Sequence, residues 1–194
     1  MNNMYNALQY SHQLLKQQIQ MAPKGLFIDA TLGNGHDSQY ILSLKNFTGE
    51  LLAFDIQSKA IGNASQRVSQ LINSTNKHYS FILDSHANIS TYIENRDVQA
   101  AIFNLGYLPG GDHTITTHYQ STIKSIDSIL KNLSAGGQII VVIYSGHEEG
   151  MIEKNELLNY YSQLSQDQYQ VLTYQFINQI NHPPMLMVIE KRHA

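Results

Sequence analysis

Residues 25–37, GLFIDATLGNGHD, carry the strongest indication of the class of fold. The segment from Phe27 to Ala30 is apolar apart from its aspartate, as expected of a strand that is covered on both faces. Gly33 and Gly35 then permit a tight turn, and a helix starting after them would offer unpaired N–H groups to a ligand. A strand, a glycine turn and a helix in this order predict the first unit of a doubly wound α/β sheet.

The rest of the chain repeats this alternation of short apolar runs and longer amphipathic ones. The predicted strands are Gly25–Ala30, Glu50–Asp55, Tyr79–Asp84, Ala100–Asn104, Gln138–Ile143, Tyr169–Phe176 and Met185–Glu190. The predicted helices are Met4–Gln20, His36–Lys45, Ser58–Ile72, His86–Ile93, Thr117–Leu133 and Glu153–Ser165. We therefore expect one domain over residues 1–194, with a helical extension at 1–22. Its Rossmann-like, mostly parallel seven-stranded sheet would end in an antiparallel hairpin.

Composition excludes several classes of protein. A chain of 194 residues with 42% hydrophobic and 14% charged residues can bury a core, so disorder is not expected. The absence of Cys excludes disulfides, thiolate zinc sites, iron–sulfur clusters and a cysteine nucleophile. The nine His show no HExxH pattern, so no metal is predicted. No apolar run is long enough for a bilayer and no signal-peptide pattern is present, so a cytoplasmic protein without membrane contact is expected.

Polar residues end each of the first four predicted strands. Ligands of open α/β sheets bind beyond the carboxyl ends of the strands, where these side chains would converge. Asp55 follows Gly33 by roughly twenty residues, a spacing that suits a carboxylate bound to ribose hydroxyls. Together the strand ends predict a site for a nucleoside-containing cofactor. The residues concerned are Asp29, Asp55, Asp84 with Ser85 and His86, and Asn104.

The glycine turn favours S-adenosylmethionine over NAD. Dinucleotide binding requires Gly-x-Gly-x-x-Gly, but Ser38 occupies the third position here. His36 and Asp37 stand at the helix start, and a carboxylate there suits a cationic ligand better than a pyrophosphate. Asp29 and Asp37 could complement the amino group and the sulfonium of S-adenosylmethionine. An NAD-dependent dehydrogenase remains the alternative on the same fold.

Five segments resemble one bacterial family throughout the chain: DATLGNGHDS (29–38), AFDIQ (53–57), NLGYLPGGDH (104–113), YSGHEEG (144–150) and NHPPMLMVIEK (181–191). The family, long described as rRNA methylases, comprises tRNA wobble-uridine methyltransferases that convert 5-aminomethyl-2-thiouridine to 5-methylaminomethyl-2-thiouridine. The first segment also resembles the class I methyltransferase motif, with Thr31 in place of its first glycine. The resemblance implies a class I fold, S-adenosylmethionine, a tRNA anticodon stem-loop as substrate and a homodimer.

The resemblance also implies catalytic roles. Asn104 to Tyr107 is similar to a relaxed form of the Asn/Asp-Pro-Pro-Tyr motif of amine methyltransferases. In that scheme the Asn104 oxygen accepts a hydrogen bond from the amine, and Tyr107 stacks on the base. The chemistry needs a neutral amine positioned in line with the methyl group, and Asp112 or His113 is the candidate to take a proton.

The same scheme assigns cofactor contacts. The loop Gly33, Asn34 and Gly35 would pass under the methionine moiety, Asp55 with Gln57 would bind the ribose, and Asp84, Ser85 and His86 would contact the adenine. Two alternatives stay open at this point. Asp29 could bind the cofactor or hold the glycine turn through backbone N–H groups, and Ser85 with His86 could simply begin a helix.

Charge gives little support for RNA binding. The net charge is −3, and the 12 Lys and Arg are scattered without a basic stripe. The tRNA expectation therefore depends on the resemblance. The open alternatives are an rRNA or small-molecule amine methyltransferase that uses the same site, and a non-catalytic cofactor-binding partner subunit.

The loop Tyr144–His147 is expected to wall the substrate pocket or to be a plain connection. The segment Asn181–Pro184 is expected to be a rigid turn or a substrate or dimer contact.

Overall fold

The structure is a computed structural model that describes residues 4–72, 78–106 and 118–193. Its sheet has the strand order β3-β2-β1-β4-β5-β7-β6. The first five strands of that order pair in parallel, and β7 pairs antiparallel with both β5 and β6. The strands are β1 Leu26–Asp29, β2 Glu50–Asp55, β3 His78–Leu83, β4 Val98–Asn104, β5 Leu133–Ile143, β6 Tyr169–Tyr174 and β7 Met185–Lys191. The predicted α/β class, with a mostly parallel seven-stranded sheet and a C-terminal antiparallel hairpin, is confirmed.

The helices lie at the predicted positions, with bounds that differ from the predicted ones by up to five residues. They are α1 Ala7–Met21, α2 His36–Ser43, α3 Ser58–Ile72, α4 Ser90–Ile93, α5 Tyr119–Asn132 and α6 Glu148–Tyr161. Helix α6 begins five residues earlier than predicted because the His147 Nδ1 accepts a hydrogen bond from the Gly150 N–H at 2.8 Å and caps the first turn. The predicted helix after β3 is divided into a 3-10 turn, His86–Asn88, and α4.

Both faces of the sheet are covered by apolar side chains. Phe27 and Ile28 are adjacent on β1 and both fully buried, yet they belong to different core clusters. Phe27 packs in the cluster that includes Leu15 of α1, and Ile28 in the one that includes Ile126 of α5. Successive strand residues point to opposite faces, so a strand between two helical layers must be apolar at every position. This arrangement explains the continuous apolar run of β1.

Helix α1 packs against the sheet. Its start carries a capping box, in which the Asn6 side chain accepts from the Gln9 N–H and the Gln9 side chain accepts from the Asn6 N–H. Leu15 and Ile19 are fully buried, and the Gln18 Nε2 donates to the Gly136 carbonyl at 3.1 Å. Burial of two large apolar side chains stabilises this packing by several kcal/mol, about 1.5–3 kcal/mol for each. That residues 1–194 form a single domain stays a prediction.

Among the described residues, no helix has the length and apolar character needed to cross a membrane.

Candidate active site

A cavity of about 760 Å³ opens at the carboxyl ends of the parallel strands. Its volume falls within the range of about 300–1,000 Å³ that is typical of small-molecule and cofactor sites. Its lining comes from the segments that follow β1, β2, β3, β4 and β5 at this edge of the sheet. The cavity is lined by most of the predicted cofactor residues: Gly33, Asn34, Asp37, Asp55, Gln57, Asp84, Ser85, His86 and Asn104.

Asp55 joins the glycine loop to the end of β2. Its Oδ2 accepts a hydrogen bond from the Gly33 N–H at 2.9 Å, and its Oδ1 accepts one from the Gln57 N–H at 2.9 Å. A carboxylate oxygen has two lone pairs, so each oxygen can accept one further hydrogen bond. The two hydroxyls of a ribose are donors that match this remaining capacity. The loop itself is braced by α3, because the Arg67 Nε donates to the Asn34 carbonyl at 2.6 Å.

Asp29 lies beneath the cavity and does not line it. It is fully buried, and its carboxylate accepts from the Thr31 N–H at 3.3 Å and from the Ser38 hydroxyl at 2.6 Å. Burial, together with the nearby Asp37 carboxylate, raises the pKa of Asp29 to about 7. Of the two alternatives for this residue, these contacts favour the one in which Asp29 holds the turn.

Gly35 also does not line the cavity, although it was predicted to pass under the methionine moiety. It adopts a left-handed conformation, φ +79°, at the start of α2, and a Cβ built on it would lie 2.7 Å from the Cβ of Ala64 on α3. Glycine is therefore needed for the close approach of α2 and α3 and for the left-handed backbone.

Asn104 is held at the end of β4 by two groups from the β1–α2 region. Its backbone N–H donates to the Thr31 Oγ1 at 2.6 Å, and its Nδ2 donates to the Asp37 Oδ2 at 3.3 Å. A carboxylate only accepts hydrogen bonds, so the amide nitrogen must face Asp37 and the amide oxygen must face away from it. Within the described residues, no donor contacts that oxygen.

The other oxygen of Asp37 is bound by α1. The Asp37 Oδ1 lies 2.7 Å from the His12 Nε2, and the His12 ring stacks on Tyr40 with ring centroids 4.0 Å apart. The side chain of Asp37 is only 8% exposed. Sequence reasoning missed His12 because no local pattern connects it with the glycine loop.

The segment after β3 lines the cavity and also begins a short helix, so the helix-start alternative is observed, and contact with the adenine stays a prediction. The Ser85 Oγ accepts from the Ala87 N–H at 3.2 Å. Asp84 accepts hydrogen bonds from Asn88 and Tyr92, and these lower the pKa of its carboxyl group. Burial lowers the pKa of His86 to about 4, so the ring is neutral at pH 7 and its Nδ1 lies 3.2 Å from the Ala30 carbonyl.

The structure adds lining residues that strand ends alone did not identify. Tyr144 and His147 come from the loop after β5 that was expected to wall the pocket, and both line it. His182, in the expected rigid turn, also lines the cavity and has a positive φ of 44°. Burial and the Asp37 charge raise the pKa of the Tyr144 hydroxyl, so it remains a neutral phenol. Ile56, His118 and Ser121 also line the cavity, and none of them was assigned a role from the sequence.

Three predicted catalytic residues, Tyr107, Asp112 and His113, lie outside the described residues. Residues 4–72, 78–106 and 118–193 contain no group of three or more His, Asp or Glu side chains that could hold a metal ion. The absence of a metal from the mechanism stays a prediction.

Several known proteins are similar to this chain in sequence and in structure. A family model described as "Putative rRNA methylase" matches residues 51–190. The chloroplastic tRNA (mnm(5)s(2)U34)-methyltransferase of Arabidopsis thaliana is 29% identical over 96% of this chain and 70% of its own length. The "putative rRNA-methylase" of Clostridium thermocellum is 38% identical, with a TM-score of 0.88 over 98% of this chain and all of that one.

A protein from Streptococcus mutans described as a "putative methyltransferase", solved in complex with S-adenosylhomocysteine (SAH), is 36% identical to this chain. Its TM-score is 0.84, over 97% of this chain and 99% of that one. S-adenosylhomocysteine is the product that remains when S-adenosylmethionine gives up its methyl group. These relatives confirm the predicted enzyme class and cofactor, so the dehydrogenase alternative is set aside. The chain belongs to the rRNA methylase family and is an S-adenosylmethionine-dependent methyltransferase.

Proposed function

We propose that the protein methylates the amino nitrogen of 5-aminomethyl-2-thiouridine at the tRNA wobble position, giving 5-methylaminomethyl-2-thiouridine. The observation that carries this proposal is the Asn104 carboxamide, whose oxygen is directed away from Asp37 at the edge of a cofactor-sized cavity. An amide oxygen in that position is an acceptor for an N–H of a primary amine. The name of the Arabidopsis relative points to the same nucleotide.

The residues present fit S-adenosylmethionine. Asp37 and Asp55 give the lining a negative character that suits a cationic cofactor. Asp55 has acceptor capacity for two ribose hydroxyls. Ile56, next to it and 58% exposed, offers an apolar surface against which an adenine ring can pack. When bound, the cofactor supplies a methyl group on a sulfonium, which is a good leaving group, so positioning accounts for most of the catalysis.

The role of the protein is to orient a neutral amine. By accepting one N–H, Asn104 aims the nitrogen lone pair at the methyl carbon. With the cofactor bound, its methyl carbon would accept this lone pair, the S–C electron pair would stay on sulfur in S-adenosylhomocysteine, and the methylated ammonium would lose a proton. Removal of a proton by Asp112 or His113 remains a prediction. The neutral phenol of Tyr144 adds no charge that would compete for the amine.

The test is mass spectrometry of nucleosides from tRNA of cells that lack this gene, after incubation with the protein and S-adenosylmethionine. We expect a gain of one methyl on 5-aminomethyl-2-thiouridine. Asn104→Ala should lose this product while Asn155→Ala, an exposed asparagine of α6, should retain it. Binding of the cofactor without any methyl gain on tRNA would overturn the assigned substrate.

A second candidate is methylation of an amine in rRNA, which the description of the matching family favours. The same mass spectrometry of nucleosides, performed on rRNA, separates the two candidate substrates. An rRNA methyltransferase would give a methylated nucleoside from ribosomal particles and not from tRNA. A small-molecule amine substrate would leave both RNAs unchanged. The predicted homodimer and cytoplasmic location stay predictions, for which sedimentation and cell fractionation are the measurements.

A further inference from the structure

We propose that His12 of α1 is a positioning residue for methyl transfer: it holds the Asp37 carboxylate, which in turn holds the Asn104 carboxamide with its oxygen toward the cavity. The proposal rests on the proposed role of Asn104. It extends the active site to a helix that carries none of the predicted strand-end residues. Its basis is one continuous set of contacts, from His12 Nε2 to Asp37 Oδ1 at 2.7 Å and from Asp37 Oδ2 to Asn104 Nδ2 at 3.3 Å.

His12 is itself anchored by contacts with two helices. Its ring stacks on Tyr40 at 4.0 Å with an interplanar angle of 13°, and Tyr40 lies one turn after Asp37 on α2. The backbone of α1 is fixed by buried Leu15 and Ile19. The imidazole is thus constrained by its own helix and by the helix that carries Asp37. Such a ring can hold a carboxylate in one rotamer at little further entropic cost.

Asp37 connects this anchored ring to Asn104, because His12 and Asn104 contact its two oxygens. Without His12, one oxygen of Asp37 would lose its 2.7 Å partner in a site where the side chain is only 8% exposed. The carboxylate could then rotate to reach another donor, and its 3.3 Å contact with the Asn104 amide would be lost. An unrestrained carboxamide can present either its NH₂ or its oxygen to the amine. Only the oxygen accepts the amine N–H.

Loss of His12 should therefore lower turnover more than cofactor affinity. His12 does not line the cavity, whereas Asp55 and Gln57, the predicted ribose contacts, do. We expect His12→Ala to lower kcat by about tenfold or more, as misplacement of a reacting group does. Affinity for S-adenosylhomocysteine should fall by less than kcat does, because the ribose contacts proposed for Asp55 and Gln57 do not depend on His12. His12→Gln places an amide nitrogen near the position of Nε2 and should restore most of the loss.

The first experiment needs no substrate. In protein labelled with ¹⁵N-asparagine, the Asn104 side-chain amide is assigned by its disappearance in Asn104→Ala. We expect its protons to exchange slowly with water in the wild type and in Gln17→Ala, an exposed position of the same helix. In His12→Ala the exchange should accelerate by about fivefold or more, since the Asp37 carboxylate that accepts from this amide is no longer held in place. Unchanged exchange in His12→Ala would overturn the proposal.

The second experiment is a double-mutant cycle on kcat with tRNA. If His12 acts through Asn104, His12→Ala should lower kcat in the wild type but have little effect in the Asn104→Ala background. Equal fold-losses in both backgrounds, or equal melting-point losses in His12→Ala and His12→Gln with no rescue of kcat, would show a merely structural role. If amide exchange is faster in His12→Ala but the wild type methylates no tRNA, the positioning role of His12 is retained and only the assigned substrate is overturned.

Discussion

The hydroxyl of Thr31 accepts a hydrogen bond from the backbone N–H of Asn104 at 2.6 Å, joining the ends of β1 and β4. Thr31 occupies the position of the first glycine of the class I methyltransferase motif, and its hydroxyl is an acceptor that glycine lacks. The contact fixes the backbone from which the proposed amine-binding side chain projects. Substitution of Thr31 should therefore affect turnover.

We expect Thr31→Val, which keeps the shape but removes the acceptor, to lower kcat by about tenfold. It should also lower the free energy of unfolding by about 1–2 kcal/mol, because a backbone N–H loses its partner. Thr31→Ser retains the hydroxyl and is the matched control. Steady-state kinetics and urea unfolding test both effects, and equal behaviour of the valine and serine variants would contradict this role.

Asp55 and Asn104 should separate binding from turnover. Asp55→Ala removes the acceptors proposed for the ribose and releases the Gly33 loop, so affinity for S-adenosylhomocysteine should fall by about 10- to 100-fold. Asn104→Ala should lower kcat with that affinity retained. Titration calorimetry measures the affinity, with Asp97→Ala, an exposed aspartate before β4, as the control. Equal loss of affinity in the Asp55 and Asn104 variants would contradict the assigned roles.

The buried carboxyl of Asp29 should make stability depend on pH. Its pKa is raised from 3.8 to about 7, so the folded protein binds this proton more tightly than the unfolded chain. Its contribution is fully present below about pH 4 and is lost as the pH rises through about 7, with a slope of at most about 1.4 kcal/mol per pH unit.

Asp29→Asn removes the titrating carboxyl group, so the variant does not lose this contribution as the pH rises. The unfolding free energy of the variant minus that of the wild type should therefore increase between pH 5 and pH 8. Urea unfolding at four pH values measures the difference. His86, whose pKa is lowered to about 4, has the opposite slope below its ordinary value of 6.5. That slope is common to both proteins and cancels in the comparison. A difference that is constant with pH would show that Asp29 does not titrate in this range.

Gly35 and Gly62 form a matched pair for stability. Gly35→Ala would place a Cβ 2.7 Å from the Cβ of Ala64 at a φ of +79°, so we expect a loss of about 2–4 kcal/mol from strain and overpacking. Gly62 lies on α3 with nothing within 4 Å of an added Cβ, so Gly62→Ala should gain about 0.5–1 kcal/mol from helix propensity. Urea unfolding of both variants tests this contrast. A stable Gly35→Ala protein would mean that α2 and α3 can move apart.

The sequence predicted the sheet well because the signals for it are local. An apolar run such as Phe27–Ala30 requires a strand covered on both faces, and a glycine turn after it can be recognised without knowledge of any distant residue. The strand ends followed from the same reasoning, since parallel strands bring their carboxyl ends to one edge. Most predicted cofactor residues, from Gly33 to Asn104, accordingly line one cavity.

Residue patterns along the chain are enough to predict the order of the elements and the edge of the sheet where chemistry takes place. Folding alone establishes which polar groups contact one another there. It buried Asp29 beneath the cavity, set Gly35 against Ala64, and brought His12 and Asn104 to opposite oxygens of Asp37. Those contacts join residues 25 and 67 positions apart. They depend on how helices pack on the sheet, and packing is a sum of many weak contacts that no local pattern records.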